Sequence, residues 1–94
     1  ISNEEMNASF NDLPPANFEI HVSAVATQAL MAMGQLPDAM EEQPEVNLEF
    51  AKFQIDMLAM LQEKTKGNLT EDEAEMLEAA THQLRMLYVS LRDQ

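Results

Sequence analysis

Residues 47–65 read NLEFAKFQIDMLAMLQEKT. At 100° per residue, the apolar side chains of this segment fall on two nearly opposite sides of a helix. One side carries Leu48, Ala51, Ile55, Leu58 and Ala59, and the other carries Phe50, Phe53, Met57, Met60 and Leu61. The polar band between them is narrow and consists of Glu49, Lys52, Asp56 and Glu63. A surface helix of a monomer needs only one apolar stripe, so this segment predicts a helix that is covered on both sides.

Capping residues mark both ends of this predicted helix. Asn47 is a suitable N-cap, because its side chain can accept a hydrogen bond from a free backbone N–H of the first turn. Lys64 and Lys66 complement the helix dipole at the other end, and Gly67 suits the stop. The segment is therefore predicted to be helical from about Asn47 to Thr65.

A first helix is predicted from about Asn17 to Met33, with Gly34 as its stop. Its main apolar face consists of Phe18, Val22, Val25, Ala26, Ala29 and Met33, and a second strip on the far side consists of Ile20, Ala24 and Met31. A third helix is predicted to start at the capping box Thr70-Glu71-Asp72-Glu73 and to run to about Leu91. Its apolar side chains recur in steps of three and four residues.

The remaining residues are predicted to connect or precede these helices. Residues 1–15 are polar and end in Pro14-Pro15, which favours a flexible lead-in before a single domain at 16–94. A loop is predicted over 35–45, and its acidic group of Glu41, Glu42 and Glu45 lacks the pattern of a calcium site and is interpreted as solvated. The predicted fold class is all-α, a three-helix antiparallel bundle or hairpin that is completed by dimerisation.

The charge of the chain is strongly acidic, with 17 acidic and 5 basic residues and a net charge of −12. Nucleic-acid binders and proteins that dock on anionic membranes cluster Lys and Arg, so neither function is expected. The simplest interpretation is that the acidic residues keep the protein soluble. Two more specific alternatives are that they bind a basic protein partner or that they mimic a nucleic acid. The stretch 22–33 is too short for a membrane span, and no cysteine is present for thiol chemistry.

The surplus of apolar side chains on the first two helices indicates an interaction surface. A homodimer is the simplest arrangement, because one patch can meet its own copy around a two-fold axis. The alternative is a monomer in which the lead-in covers the patch through Met6, Phe10 and Leu13. The predicted interface consists of Ile20, Ala24, Met31, Phe50, Phe53, Met57, Met60 and Leu61.

No catalytic, cofactor-binding or metal-binding residue is predicted. No Ser, Asp or Cys that could act with His21 in catalysis can be recognised in the sequence. His21 is therefore interpreted as a buried hydrogen-bonding residue, with a catalytic base as the alternative. His82 shares a helix face with Glu78, and two such groups do not make a metal site. The eight methionines favour core or interface packing over copper binding.

A carrier of a small apolar ligand, held on the Phe/Met side of the second helix, is the alternative to an interaction module.

An ordered set of short motifs runs from Leu13 to about Val89. The motifs are Phe18 with Val22, Ala26-Thr27-Gln28-Ala29-Leu30, Met33-Gly34, Pro37, Val46-Asn47-Leu48, Ala51-Lys52, Ile55-Asp56, Leu58, Glu63-Lys64-Thr65-Lys66-Gly67-Asn68-Leu69-Thr70, Leu84-Arg85 and Tyr88-Val89. On these motifs the chain resembles a bacterial family known as domain of unknown function 1844. The resemblance implies a small cytoplasmic helical protein and supplies no activity or ligand. Phe53 stands where that family often has a histidine, so no role of such a histidine is carried over, and the acidic segment 40–43 also departs from the family.

Overall fold

The computed structural model describes residues 13–35 and 46–94. These residues form three α-helices, α1 (Phe18–Ala32), α2 (Leu48–Lys64) and α3 (Glu71–Arg92), and the same two ranges contain no strand. The predicted all-helical, three-helix architecture is therefore confirmed. The lead-in residues Met6 and Phe10 and the acidic group of Glu41, Glu42 and Glu45 lie outside the described residues.

Asparagine side chains cap the first two helices, as the sequence predicts. The Oδ1 atom of Asn17 accepts a hydrogen bond of 2.8 Å from the backbone N–H of Ile20. The Oδ1 atom of Asn47 accepts one of 3.0 Å from the backbone N–H of Phe50. Each bond satisfies a backbone donor that has no partner within its own helix. The N-termini of α1 and α2 are thus fixed by sequence-local chemistry.

The turns that end α1 and α2 use glycine in the left-handed region. Gly34 has φ of 74° and Gly67 has φ of 87°. A side chain with a Cβ atom is disfavoured at these angles, so glycine allows the chain to leave the helix sharply. Only three residues then separate Gly67 from the first residue of α3, which keeps α2 and α3 side by side.

The three helices pack around one apolar core. Its buried members are Val22, Ala29, Ala32, Met33, Ala51, Ile55, Leu58, Leu77 and Leu84. Met33 is buried although Met31, two residues earlier, is exposed, because the two side chains point to different sides of α1. The main apolar face predicted for α1 therefore contributes to the core, and on α2 the side that carries Ala51, Ile55 and Leu58 does so.

Two hydrogen bonds show that α1 and α2 are antiparallel. The backbone N–H of Asn47 donates to the carbonyl oxygen of Ala32 over 2.7 Å, at the end of α1 and the start of α2. Further along, the Nε2 atom of Gln54 donates to Oε1 of Gln28. From the first contact to the second, the residue number increases on α2 and decreases on α1. The two helices therefore run in opposite directions, as adjacent helices do in an up-and-down bundle.

The few polar side chains inside the bundle have partners. The buried side chain of Gln54 donates a hydrogen bond to Gln28. The buried hydroxyl of Thr81 donates one of 2.7 Å to the carbonyl oxygen of Leu77. Within 13–35 and 46–94, no buried side-chain nitrogen or oxygen lacks a hydrogen bond. Since an unpaired buried polar group is costly, the interior contains no obvious polar site that awaits a ligand.

Candidate functional site

A set of exposed apolar side chains lies on the outer sides of α1 and α2. We call it the α1–α2 apolar face, and it consists of Ile20, Ala24, Met31, Phe50, Phe53, Met57 and Met60. All seven are exposed in a single chain. Leu61, the eighth residue of the predicted interface, is half-buried and packs against the core at the edge of this face. Its use as an interface stays a prediction.

The two helices contribute to this face side by side. Ile20, Ala24 and Met31 recur in helical steps along the outer side of α1. The hydrogen bond between Gln28 of α1 and Gln54 of α2 lies beneath the face and holds the two helices in register. The two outer strips that the sequence shows separately therefore become one surface through the packing of α1 against α2.

A shallow groove opens on this surface where α1 ends and α2 begins. It has a volume of 440 Å³ and is lined by Gln28, Met31, Ala32, Asn47 and Phe50. Three of these side chains are apolar, and the oxygens of the two carboxamides already accept hydrogen bonds within the chain. Sequence reasoning did not assign Gln28 and Asn47 to this surface. The spacing of Gln28 from Ala24 and Met31, by four and three residues, is the signal that could have placed it there.

Two aromatic rings stand next to the groove. The ring centroids of Phe50 and Phe53 are 6.2 Å apart, with an angle of 31° between the ring planes. This distance lies within the range of favourable aromatic pairs. Phe53 is nevertheless 55% exposed, and Phe50 is 42% exposed. The pair thus orients a large apolar side chain that the described part of the chain leaves uncovered.

The end of the lead-in borders the opposite end of the same face. Leu13, Pro14 and Pro15 line a groove of 560 Å³ together with side chains of α1, which include Ile20 and Ala24. His21 also lines this groove and is exposed, so the prediction that it is a buried hydrogen-bonding residue is wrong. The reason is its position on α1: it lies on the flank of the core-facing side, where α2 and α3 do not reach it.

The polar band of α2 separates the apolar face from α3. On this band Lys52 Nζ donates a hydrogen bond of 2.8 Å to Asp56 Oδ2, and both side chains are exposed. The hydrogen bond and the negative charge of Asp56 raise the pKa of Lys52 above its ordinary value, and a weaker contribution comes from Tyr88 of α3. An exposed pair of this kind adds little to stability.

The outer surface of α3 carries the only other histidine. His82 lines an open hollow together with Glu75, Glu78 and Ala79. In the described ranges, no group of three or more His, Cys, Asp or Glu side chains is arranged to hold a metal ion. A smaller cleft of 220 Å³ lies at the turn between α2 and α3, with Lys66 and Glu78 at its polar side and Leu77 at its base.

No helix in the described part of the chain is long and apolar enough to cross a membrane. Searches of curated proteins and of solved structures return no match to this chain. A family model does match: the one described as "Domain of unknown function (DUF1844)" covers residues 15–90, which include all of α1 and α2 and nearly all of α3. That range is more than half of the sequence, and it agrees with the resemblance that the short motifs indicate. The chain therefore belongs to the DUF1844 family.

Proposed function

We propose that this protein is a non-enzymatic helical interaction module that assembles as a homodimer through the α1–α2 apolar face. The observation that carries the proposal is the exposure of six large apolar side chains on one surface. Their exposed fractions range from 37% for Met60 to 55% for Phe53. Contiguous apolar surface of this kind on a small protein marks an interaction site in most cases.

The area of the face agrees with the requirement of a stable dimer. If a fully accessible large side chain presents about 200 Å², the six residues offer roughly 500 Å² of apolar surface. A standard interface buries about 800 Å² on each partner, and about 65% of a homodimer interface is apolar. The face thus supplies the apolar part of one standard interface.

The chemistry of the face favours a second copy over a basic partner. None of its seven residues is charged, while the acidic side chains of the described helices are Glu19 of α1, those on the polar band of α2, and those of α3. A basic protein would find no carboxylate on this surface to pair with. A second copy presents the same apolar surface, and a two-fold axis brings the two patches together without leaving either one exposed.

Light scattering coupled to size exclusion at low micromolar concentration tests the proposal. We expect twice the chain mass for the wild type and the chain mass for Met57→Asp, because the new carboxylate would be buried without a partner in the dimer. Met86→Asp is the matched control, since Met86 is 62% exposed on α3, away from the face. It should leave the dimer intact. A wild-type mass equal to one chain would refute the proposal.

Two other occupants of the face are outcomes of the same experiment. If the full chain is monomeric and a chain that starts at Leu13 is dimeric, the lead-in covers the face within one molecule. If the protein is monomeric and native mass spectrometry shows a bound lipid-like molecule, it is a carrier of a small apolar ligand. The 440 Å³ groove is open, whereas small-molecule sites bury most of the surface of their ligand. The groove therefore favours the dimer over the carrier.

A cytoplasmic location is part of the proposal and is supported by the family resemblance alone. The absence of catalysis is likewise a proposal. It is supported by the surroundings of His21, whose groove contains no hydroxyl, thiol or carboxylate side chain among the described residues. A histidine needs such a group, or a bound substrate, for acid–base or nucleophilic chemistry.

A further inference from the structure

We infer that the two copies dock reciprocally at one aromatic anchor: the Phe53 ring of each copy enters the groove between α1 and α2 of the other. This inference rests on the function proposed above, because it names the contact at the centre of that dimer. The observations that carry it are the apolar lining of the groove, the exposure of Phe53, and the pairing of the Phe53 ring with that of Phe50, which lines the groove.

The groove suits an apolar ring. Met31, Ala32 and Phe50 form its apolar walls, and its volume is 440 Å³. Asn47 Oδ1 accepts the 3.0 Å bond from the backbone N–H of Phe50, and Gln28 Oε1 accepts from Gln54. Both carboxamide oxygens therefore have donors already. An aromatic side chain that covers these two oxygens therefore takes away no donor that they need, and the NH2 groups of the two carboxamides can stay at the open edge of the groove, in contact with water.

Phe53 is the side chain best suited to be that occupant. It is the most exposed of the six large apolar residues of the face, at 55%, and it does not line the groove of its own chain. The Phe50 ring lies beside it, with 6.2 Å between the two ring centroids. Aromatic side chains that are held in place before binding lose little entropy and dominate the energy of many interfaces.

The positions of anchor and groove are compatible with a two-fold axis. Phe53 follows Phe50 by three residues, which is a rise of about 4.5 Å along α2. Since Phe50 is both the neighbour of the anchor and a wall of the groove, an axis that passes beside Phe50 exchanges the two anchors. Each Phe53 then inserts into the groove of the other copy. The four phenylalanine rings form one cluster at the axis, with Met57 and Met60 packing around it.

Substitutions at the anchor and in the groove test this arrangement by light scattering and analytical ultracentrifugation. Phe53→Ala removes the anchor, and Met31→Trp fills the groove with an indole ring. We expect each to raise the dimer Kd by at least about 30-fold, the usual effect of losing a hot-spot residue. Met60→Ala is the matched control, because Met60 is on the same face and outside the groove. Its effect should be much smaller. Equal effects of Phe53→Ala and Met60→Ala would overturn the inference.

Mixing the two variants provides a stronger test. A Phe53→Ala copy keeps its groove, and a Met31→Trp copy keeps its anchor, so a mixed dimer retains one anchor-in-groove contact while each parent dimer has none. Native mass spectrometry of an equimolar mixture should therefore show the mixed dimer well above the share of about one half that random pairing gives. A share at or below one half contradicts reciprocal docking. Circular dichroism of each variant verifies that its helices are intact.

A measurement on the wild type does not depend on how the variants fold. In a dimer of one isotope-labelled and one unlabelled copy, filtered nuclear Overhauser spectra detect only contacts between copies. We expect cross-peaks between the Phe53 ring and the methyl groups of Met31 and Ala32. A dimer without these cross-peaks refutes the anchor and leaves the proposed function standing. A wild type that does not dimerise refutes the proposed function, and the inference falls with it.

Discussion

The hydroxyl of Thr70 determines where α3 begins. Its Oγ1 atom accepts a 3.1 Å bond from the backbone N–H of Glu73, and the Glu73 carboxylate accepts a 2.9 Å bond from the backbone N–H of Thr70. Thr70→Ala removes the first of these bonds, so we expect it to lower the free energy of unfolding by about 1 kcal/mol in urea denaturation. Thr70→Ser keeps an acceptor at the cap and should cost much less. If Thr70→Ala and Thr70→Ser lower the free energy of unfolding equally, the hydrogen bond accepted by the Thr70 hydroxyl does not contribute to stability.

A second prediction at this scale concerns the ion pair between Lys52 and Asp56. Asp56 raises the pKa of Lys52 through a hydrogen bond and through its charge. A raised pKa in the folded state means that the pair contributes stability below the unfolded pKa of lysine. This contribution is lost as pH rises through the folded pKa. Asp56→Asn should therefore shift the titration of Lys52 to lower pH, as followed by the ¹³Cε chemical shift. Glu63→Gln, also on the polar band, should not shift it. An unchanged titration in Asp56→Asn would contradict the assignment.

The turn between α2 and α3 depends on one glycine for a conformational reason. Gly67 has φ of 87°, and a Cβ atom at this position would meet nothing within 4 Å. Gly67→Ala therefore creates no steric clash with the rest of the molecule, and its cost reflects backbone strain alone. We expect a loss of about 1–2 kcal/mol in the free energy of unfolding, and a smaller loss for Gly67→Asn, because asparagine tolerates this region better. If Gly67→Ala and Gly67→Asn lower the free energy of unfolding by the same amount, backbone strain at residue 67 is not the cause of the loss.

The helices could be predicted from the sequence because their ends depend on local chemistry. Asn17, Asn47 and Thr70 all act as N-caps, and glycines 34 and 67 adopt positive φ where the sequence places the stops. Such caps involve residues only three positions apart, so no knowledge of the tertiary structure is needed. The predicted bounds differ from the observed ones by about one residue for the same reason.

The relation between the two apolar strips of α2 could not be predicted in the same way. Both strips are apolar, and helical periodicity alone does not tell which one packs inward. Phe50, Phe53 and Met57, which are predicted for the interface, are exposed in the fold. The structure places Ala51 and Leu58 inside, where both belong to the buried core together with Ala29 and Val22. The groove also required the fold, because Gln28 and Phe50 are far apart in sequence and meet only when α1 and α2 pack. Similarly, the exposure of His21 depends on how far the neighbouring helices reach.

At the scale of the whole molecule, the core and the outer face have opposite roles. Leu58 is completely buried, whereas Phe53 on the same helix is more than half exposed. A three-helix chain of this length buries only a modest core, and α2 carries more apolar surface than that core accommodates. Assembly would bury the remainder and add its binding free energy to the stability of each chain. The apolar face thus connects the stability of the fold to the proposed function.

The net charge of −12 should make the proposed dimer sensitive to salt in a specific direction. Two copies repel each other over long distances, and the contact between them is apolar, so screening removes repulsion and costs no attraction. Raising the salt concentration from about 0.01 M to about 0.15 M shortens the Debye length from about 30 Å to about 8 Å. We therefore expect the dimer Kd, measured by analytical ultracentrifugation, to fall as salt is added.

A variant with reduced charge separates this effect from other actions of salt. Glu75 and Glu78 are exposed on α3, outside the α1–α2 apolar face, so Glu75→Gln with Glu78→Gln lowers the repulsion without changing the contact. The double variant should dimerise more tightly than the wild type at low salt and respond less to added salt. A Kd that rises with salt would mean that ion pairs hold the two copies together. The uncharged face would then not be the surface that they share.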